Sequence, residues 1–285
     1  MPPIVNAMSI DVEDYFHANA LSRLSPSTAW EGFEQRAERN THRMLDVLDE
    51  HGVKATCFVL GWVAERYPSI ARRIVADGHE LASHGYWHQL IFAIDREAFR
   101  SDIRRGKALL EDQAGVRVHG YRAPSFSVVT RTLWALDELL DAGFTYDASI
   151  FPIRHDTYGI PDAPRHPHAM ASPSGRPIFE IPSSTTTLGR MNLPVAGGGY
   201  FRLLPYAWTR WGIGRVNRGE RRPVVFYLHP WDMDPGQPRF DVSGLSRVRH
   251  YTNLERCEPR YRRLLSQFAF APIRDVFPAA LGAAA

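Results

Sequence analysis

An α/β fold with mostly parallel strands, either an open sheet or a barrel, is what this 285-residue sequence predicts. Three observations lead there. Over the first two thirds of the chain, short apolar runs alternate with longer amphipathic ones, the pattern of strands joined by crossover helices. No shift in composition marks a boundary, so one core is the simplest organisation for a chain of this size. The residues of chemical interest follow directly on strand-like runs, where such folds build their sites.

Taken in order, Ile4 to Ile10 reads as a strand and Arg39 to Asp49 as a helix with Met44, Leu45 and Leu48 on one side. Ala55 to Leu60 is a second strand, followed by a helix from about Val63 to Ala76 that ends at Asp77-Gly78. His79 to Ser83 is a short strand, Arg96 to Ala114 a long helix, and Val116 to Tyr121 strand-like again. Thr130 to Asp141 is helical with Leu133, Leu136, Leu139 and Leu140 inward and Gly143 as its cap, and Phe144 to Asp147 is another strand. From Phe151 to Gly199 prolines and short strands take over; a connection this long reads as a functional insert over the site. Val224 to Leu228 is the last core strand. A C-terminal extension from about residue 235 carries a helix around Pro259 to Phe268 and a small-residue tail from Ala279 that reads as frayed. Residues 1–285 are thus read as a single catalytic domain with an insert at about 151–200.

The formal charge is +3, with 34 Lys and Arg against 31 Asp and Glu. That balance argues against a nucleic-acid partner, which needs a concentrated basic surface. The densest basic stretches, Arg218 to Arg222 and Arg260 to Arg263, read as solvated faces. No run approaches the length of a membrane span. Two cysteines, Cys57 and Cys257, far apart, support neither a disulfide scaffold nor a sulfur-ligated metal. The compartment these features predict is the cytoplasm. Nothing in the sequence bears on oligomeric state.

Four constellations carry chemistry. His84 and His88 stand four apart; on one helical turn they would point the same way and could share an ion, although the spacing fits a pair of satisfied surface histidines equally well. Gly85 excludes the metalloprotease arrangement, which needs Glu there. Asp11, Glu13 and Asp14 crowd the end of the first strand and would repel one another without a cation or shared proton. Two histidines, a carboxylate and an open position form a catalytic metal site, with a second carboxylate free to take a proton from water. His229, closing the last core strand, is suited to protonating a leaving group if an acidic neighbour keeps it charged. Arg122 could orient a carboxylate of the first cluster, and the turn after it, at Ser125, could offer backbone N–H groups to an oxyanion.

These residues resemble the motifs of the polysaccharide deacetylase family, which shares the NodB homology domain. The resemblance spans about Ile4 to Pro272 and implies a distorted (β/α) barrel that removes acetyl groups from N-acetylated sugars. Asp11 matches the catalytic base and His84 and His88 the metal histidines, although Gly85 stands where relatives carry Ser or Thr. Arg122-Ala123-Pro124-Ser125 matches the third motif with Ser125 for Tyr. His229 matches the general acid but lies next to Leu228 rather than one residue on. Asp147 is similar to the Asp of the fourth motif, with Asp232 as a competing partner for His229. The first motif departs from the usual Asp-Asp pair. Asp14 is the preferred metal ligand, because the strand should end near Asp11 and let the loop turn it inward; Glu13 would share the face of Asp11 if the strand continued.

Stretches such as Ser9 to His17, Ala55 to Gly61 and Asn192 to Arg202 look like the subgroup encoded with bacterial exopolysaccharide and exosortase systems. The resemblance implies Zn2+, or another divalent ion such as Co2+ or Ni2+, and an N-acetylated oligo- or polysaccharide substrate. Trp87, Tyr200, Phe201 and Trp231 could stack on its rings. Two rivals stand beside this expectation: an allantoinase-like hydrolase of a small cyclic or linear amide, favoured by a closed pocket, and a carbohydrate-binding protein without turnover, favoured by the altered motifs.

Overall fold

The computed structural model describes residues 3–189, 191–242 and 244–282. Up to residue 147 its elements are β1 (Val5–Val12), α1 (Ala37–Glu50), β2 (Thr56–Val59), α2 (Gly61–Arg66), α3 (Pro68–Ala76), β3 (Glu80–Ser83), α4 (Arg96–Ala114), β4 (Gly120–Tyr121), α5 (Ala135–Asp141) and β5 (Tyr146–Asp147). Then come β6 (His168–Ala171), β7 (Pro177–Glu180), β8 (Thr185–Leu188), β9 (Met191–Pro194), α6 (Gly198–Leu203), α7 (Tyr206–Arg215) and β10 (Val225–Leu228). The chain closes with α8 (Gly244–Tyr251), α9 (Leu254–Gln267), β11 (Ala269–Ala271) and α10 (Ile273–Val276).

The nine-stranded sheet runs β10-β1-β2-β3-β4-β5-β7-β6, with β11 also on β1. Every pairing is parallel except β6 with β7, and β8 and β9 form a separate antiparallel hairpin. The fold is a distorted (β/α) barrel. Its two cores follow from the period of two along a strand. Met8, Ile10 and Val12 of β1 join the outer core with Leu45, Leu48 and Ile74 of the helices. Ala7 faces the other way, into a smaller cluster with Phe58, Ala82, Tyr146, Ala148 and Val225 that fills the lumen. The lumen is tight: a Cβ on Gly120 would sit 2.0 Å from the Tyr146 ring.

Departures from the sequence expectations have local causes. The helix expected over 63–76 breaks at Tyr67, where Pro68 instead opens α3. The strand expected over 116–121 shrinks to Gly120–Tyr121 because α4 side chains take the backbone of Val118: Glu111 accepts its N–H (2.9 Å) and Lys107 donates to its carbonyl (2.7 Å). Residues 130–132 form a 3-10 turn ahead of α5 rather than its first turn. The stretch read as an insert contributes β7 to the main sheet and is followed by α6 and α7, which the Gly- and Trp-rich sequence did not announce. Pro259 lies inside α9 rather than at its start. The expected tail is a 3-10 turn over Pro278–Leu281, and 283–285 lie outside the described residues.

Candidate active site

The same period of two that separates the cores carries the inward rows out of the barrel at its C-terminal mouth. On β1 the row runs Ala7, Ser9, Asp11 and, just past the strand, Glu13; on β3 it is Glu80, Ala82 and His84; on β10, Val225, Tyr227 and His229. The register Ile10↔Leu228 brings the ends of β1 and β10 side by side. Five residues from distant parts of the sequence, Asp11, Glu13, His84, His88 and His229, therefore line one cavity of about 270 Å³.

Glu13, His84 and His88 each offer one atom within 4.8 Å of the others. His84 Nδ1 lies 2.8 Å from the Arg122 carbonyl, so Nδ1 carries the hydrogen and Nε2 presents a bare lone pair, 3.8 Å from Glu13 Oε2. His88 Nε2 lies 2.6 Å from that same oxygen. Glu13 Oε2 is buried and has no other polar partner within hydrogen-bond distance. Three donor atoms converging on one point are what a cation would hold together, and the nitrogen and oxygen donors fit zinc or a neighbouring divalent ion. Burial pushes the His84 pKa down to about 4, against the nearby Asp11, keeping the imidazole neutral. Burial alone would raise Glu13, but His88, His229 and His84 outweigh it and hold the carboxylate well below the usual range. Trp231 Nε1 donates to its other oxygen (3.0 Å) and fixes the carboxylate plane.

His88 does not reach this point on a helical turn. Residues 84–88 form a loop, with Gly85 at φ 74° and His88 at φ 53°. Asp102 of α4 holds the loop by accepting the Tyr86 and Trp87 N–H groups, both at 2.8 Å. A Cβ at position 85 would meet Asp102 Oδ2 at 2.6 Å, which accounts for glycine there.

Arg122, fully buried, donates from Nη1 to Asp11 Oδ1 (2.6 Å) and Ser9 Oγ (2.9 Å), and from Nε to the Ala148 carbonyl (3.2 Å). This leaves Asp11 Oδ2 facing His229 Nε2 at 3.9 Å. His229 Nδ1 pairs with Asp232 Oδ2 at 2.9 Å. Burial disfavours the imidazolium, but the Asp232 bond and charge overcome it and raise the pKa to about 9. Burial would likewise raise Asp232, yet the Arg202 guanidinium, 2.6 Å away, holds it near about 2. Ser125, at φ 50°, lines the cavity on the turn after Arg122.

Two expectations are corrected by this geometry. Asp14 is turned away from the histidines: its Oδ2 accepts the N–H groups of Arg36 (2.6 Å) and Ala37 (2.8 Å) at the start of α1, and its Oδ1 that of Tyr15 (2.9 Å). The strand runs on to Val12, so Glu13, not Asp14, shares the face of Asp11. Burial raises Asp14 to about 6 in spite of those amides. Asp147 is not the partner of His229: its carboxyl accepts from Ser149, and burial raises both it and the adjoining Glu180.

Of the aromatic residues expected to stack on substrate, Tyr200 and Trp231 line the cavity, Phe201 is core, and Trp87 lines a neighbouring cavity. Tyr158, Arg202, Arg249 and His250 also line the site and were not anticipated. Only the reading of 151–200 as a cover for the site points toward Tyr158, and only the subgroup resemblance of Asn192 to Arg202 toward Arg202; Arg249 and His250 carry no local signal.

Residues 23–146 match the family model described as polysaccharide deacetylase, and residues 148–278 match one described as a domain of unknown function, DUF3473. Asp11 and Glu13 precede both matches, and His229 and Asp232 fall in the second. The chain is 33% identical over 99 residues to a peptidoglycan-N-acetylglucosamine deacetylase of Bacillus cereus, covering 34% of this chain and 36% of that protein. It is 44% identical over 64 residues to a chitooligosaccharide deacetylase of Rhizobium leguminosarum bv. trifolii, covering 22% and 30%. The chain thus spans about a third of the length of these curated relatives. A crystal structure from Mycobacterium smegmatis, assigned there as a polysaccharide deacetylase, superposes with a TM-score of 0.61 at 21% identity over 97% of this chain and 90% of that one. An allantoinase does so with 0.62 at 17% identity over 96% and 88%. Both share the fold.

Proposed function

From a chain whose residues 23–146 are a polysaccharide deacetylase domain, we propose a metal-dependent deacetylase of N-acetylated sugar residues in an oligo- or polysaccharide. The observation that carries it is the convergence of Glu13, His84 and His88 on one point beside Asp11 and His229. A divalent ion held by those three would polarise the acetamide carbonyl and make bound water more acidic. Asp11, steadied by Arg122, takes the proton of the attacking water. The Phe126 and Ser127 amides are committed to the carbonyls of Ala123 and Pro124, so the Ser125 amide is the one assigned to the oxyanion. His229, kept charged by Asp232, gives its proton to the departing amine, leaving acetate and a free amino sugar. Asp14 serves as a cap rather than a ligand, and Arg122 and Asp232 position the base and the acid.

The reading extends to zinc as the resident ion, to a bacterial exopolysaccharide as the natural polymer and to the cytoplasm as the compartment, all from the sequence. No helix among the described residues is long and apolar enough to cross a membrane. The sheet runs through both matched segments, which supports one catalytic domain over the whole chain.

Acetate release from N-acetylhexosamine oligomers tests the proposal. Zinc-loaded wild type is expected to turn over, and Asp11→Asn and His229→Ala to lose activity by about 10²–10⁴-fold. Unchanged activity in both variants, or turnover of small cyclic amides in place of sugars, overturns it.

A further inference from the structure

Charge along the chain is even except over residues 181–219, which hold five arginines and no Asp or Glu. Of these, Arg202 is spent in a buried ion pair with Asp232. Helix α7 turns Arg210, Trp211 and Arg215 outward, and Arg218 follows on the turn that continues it. Thr209, Gly212, Ile213 and Val216 bury the opposite face. We propose that the outward face docks the protein on a membrane surface rich in anionic lipid, with arginines on the headgroups and apolar side chains in the interfacial layer. The inference rests on these surface residues and not on the deacetylase reading.

Both of the densest basic stretches of the sequence contribute to this face. Arg218 belongs to the first and Arg263 of α9 to the second, its guanidinium 4.8 Å from the Tyr206 ring at the start of α7. Arg210, Arg215, Arg218 and Arg263 are all exposed, and among the described residues none of the four forms a salt bridge. The first acid after Glu180 is Glu220, which is taken up by Arg165 and His166. Four like charges without a counter-charge repel one another and attract an anionic surface, and clusters of this size are what anionic headgroups bind.

Apolar side chains select a lipid surface over a dissolved polyanion. Trp211 is the most exposed of the seven tryptophans, at 40%, and Arg215 lies 6.0 Å from its ring. Trp208, 5.0 Å from Trp211, donates to the Pro194 carbonyl (3.0 Å), so the indole pair joins α7 to β9. At the free end of the β8–β9 hairpin, Leu188 and Met191 pair across the strands and share one face, 56% and 61% exposed. Indoles and protruding aliphatic chains beside arginines are the composition of a surface that sits at the headgroup level of a bilayer. An acidic polysaccharide would leave Leu188 and Met191 in water. Asn192, on the other face of the hairpin, donates to the carbonyls of Pro152 and Pro161, which bracket the loop whose Tyr158 lines the active-site cavity. Docking would therefore hold that cavity beside the lipid surface.

Sedimentation with vesicles tests the proposal. At low salt the full chain is expected to pellet with mixed phosphatidylcholine and phosphatidylglycerol vesicles but not with phosphatidylcholine alone, and to be released as salt rises. Arg210→Glu combined with Arg215→Glu should weaken binding by about tenfold or more. Leu188→Asp combined with Met191→Asp should weaken it by a similar factor, and unchanged urea midpoints would show both variants folded. Equal binding to the two kinds of vesicle, no binding to either, or binding that neither folded variant weakens, overturns the proposal. Retention on polygalacturonate without binding to vesicles also overturns it and makes the face a site for an acidic polymer. A concentration-dependent dimer abolished by the same substitutions, again without vesicle binding, overturns it in favour of an interface between copies of this chain.

Discussion

The segment up to residue 146 holds its functional groups differently from the segment after it. Asp11, Glu13 and His84 stand on the inward rows of neighbouring parallel strands, so the register that builds the barrel also places them. His84 and Arg122 are then fixed to each other through backbone and side chain, with Asp102 holding the loop to His88. His229 also ends a strand, but its chemistry depends on a run of side chains, Asp232 and then Arg202, whose guanidinium reaches the carbonyls of Arg249, His250 and Thr252. Gly198 lets that run form, since a Cβ there would sit 1.8 Å from Asp232 Oδ2. The proposed base and metal groups are thus set by the barrel, whereas the proposed acid is set by a buried ion pair that a single substitution can break.

The largest effect expected lies on the barrel side. Asp11→Asn keeps the shape of the side chain but removes the base, and kcat/KM for an N-acetyl sugar should fall by about 10²–10⁴-fold. A loss of similar size in an activated aryl acetate, which needs no acid, would confirm that Asp11 acts on water. On the other side, Arg202→Met removes one partner of a buried ion pair and leaves Asp232 to His229 alone, with both Arg202 and Asp232 at 1% exposure or less. Breaking a buried pair in this way should cost about 3–5 kcal/mol in denaturant unfolding. The aryl acetate should survive in His229→Ala while the amide substrate does not; equal loss on both would erase the division between the halves.

A smaller effect reads the acid half through pH. In metal-free protein His229 titrates at about 9, against an ordinary 6.5. Its contribution to stability is therefore full below pH 6.5 and is lost as pH rises through 9. The urea midpoint of the metal-free wild type should fall over that window, and Asp232→Asn should flatten the fall. The smallest effect is at the border of the first half. Asp14→Ala removes the cap from α1 and should cost about 1–2 kcal/mol, while the stabilisation by added zinc is retained. Loss of the zinc effect in that variant would return Asp14 to the metal site.

How much of this was legible in the sequence follows the same division. The inward-row residues Asp11, His84, Arg122 and His229 are visible because strand, strand end and reactive side chain are contiguous. The misplacement of Asp14 comes down to one residue of strand: an end near Asp11 frees the loop to turn it inward, whereas an end at Val12 commits Glu13 instead. Asp147 looked right by motif, but its partner depends on β7, which was read as part of an insert. Arg202, Tyr158, Arg249 and His250 reach the site only through tertiary packing of α6, α8 and the 151–160 loop, and no local pattern encodes that.

Strand register directs Glu13 rather than Asp14 to the proposed metal position. Elemental analysis of zinc retained after dialysis, on folded Glu13→Gln and Asp14→Asn beside wild type, tests that most directly. Wild type and Asp14→Asn are predicted to keep a single ion per chain and Glu13→Gln to lose it. Retention by Glu13→Gln with loss from Asp14→Asn would contradict the account.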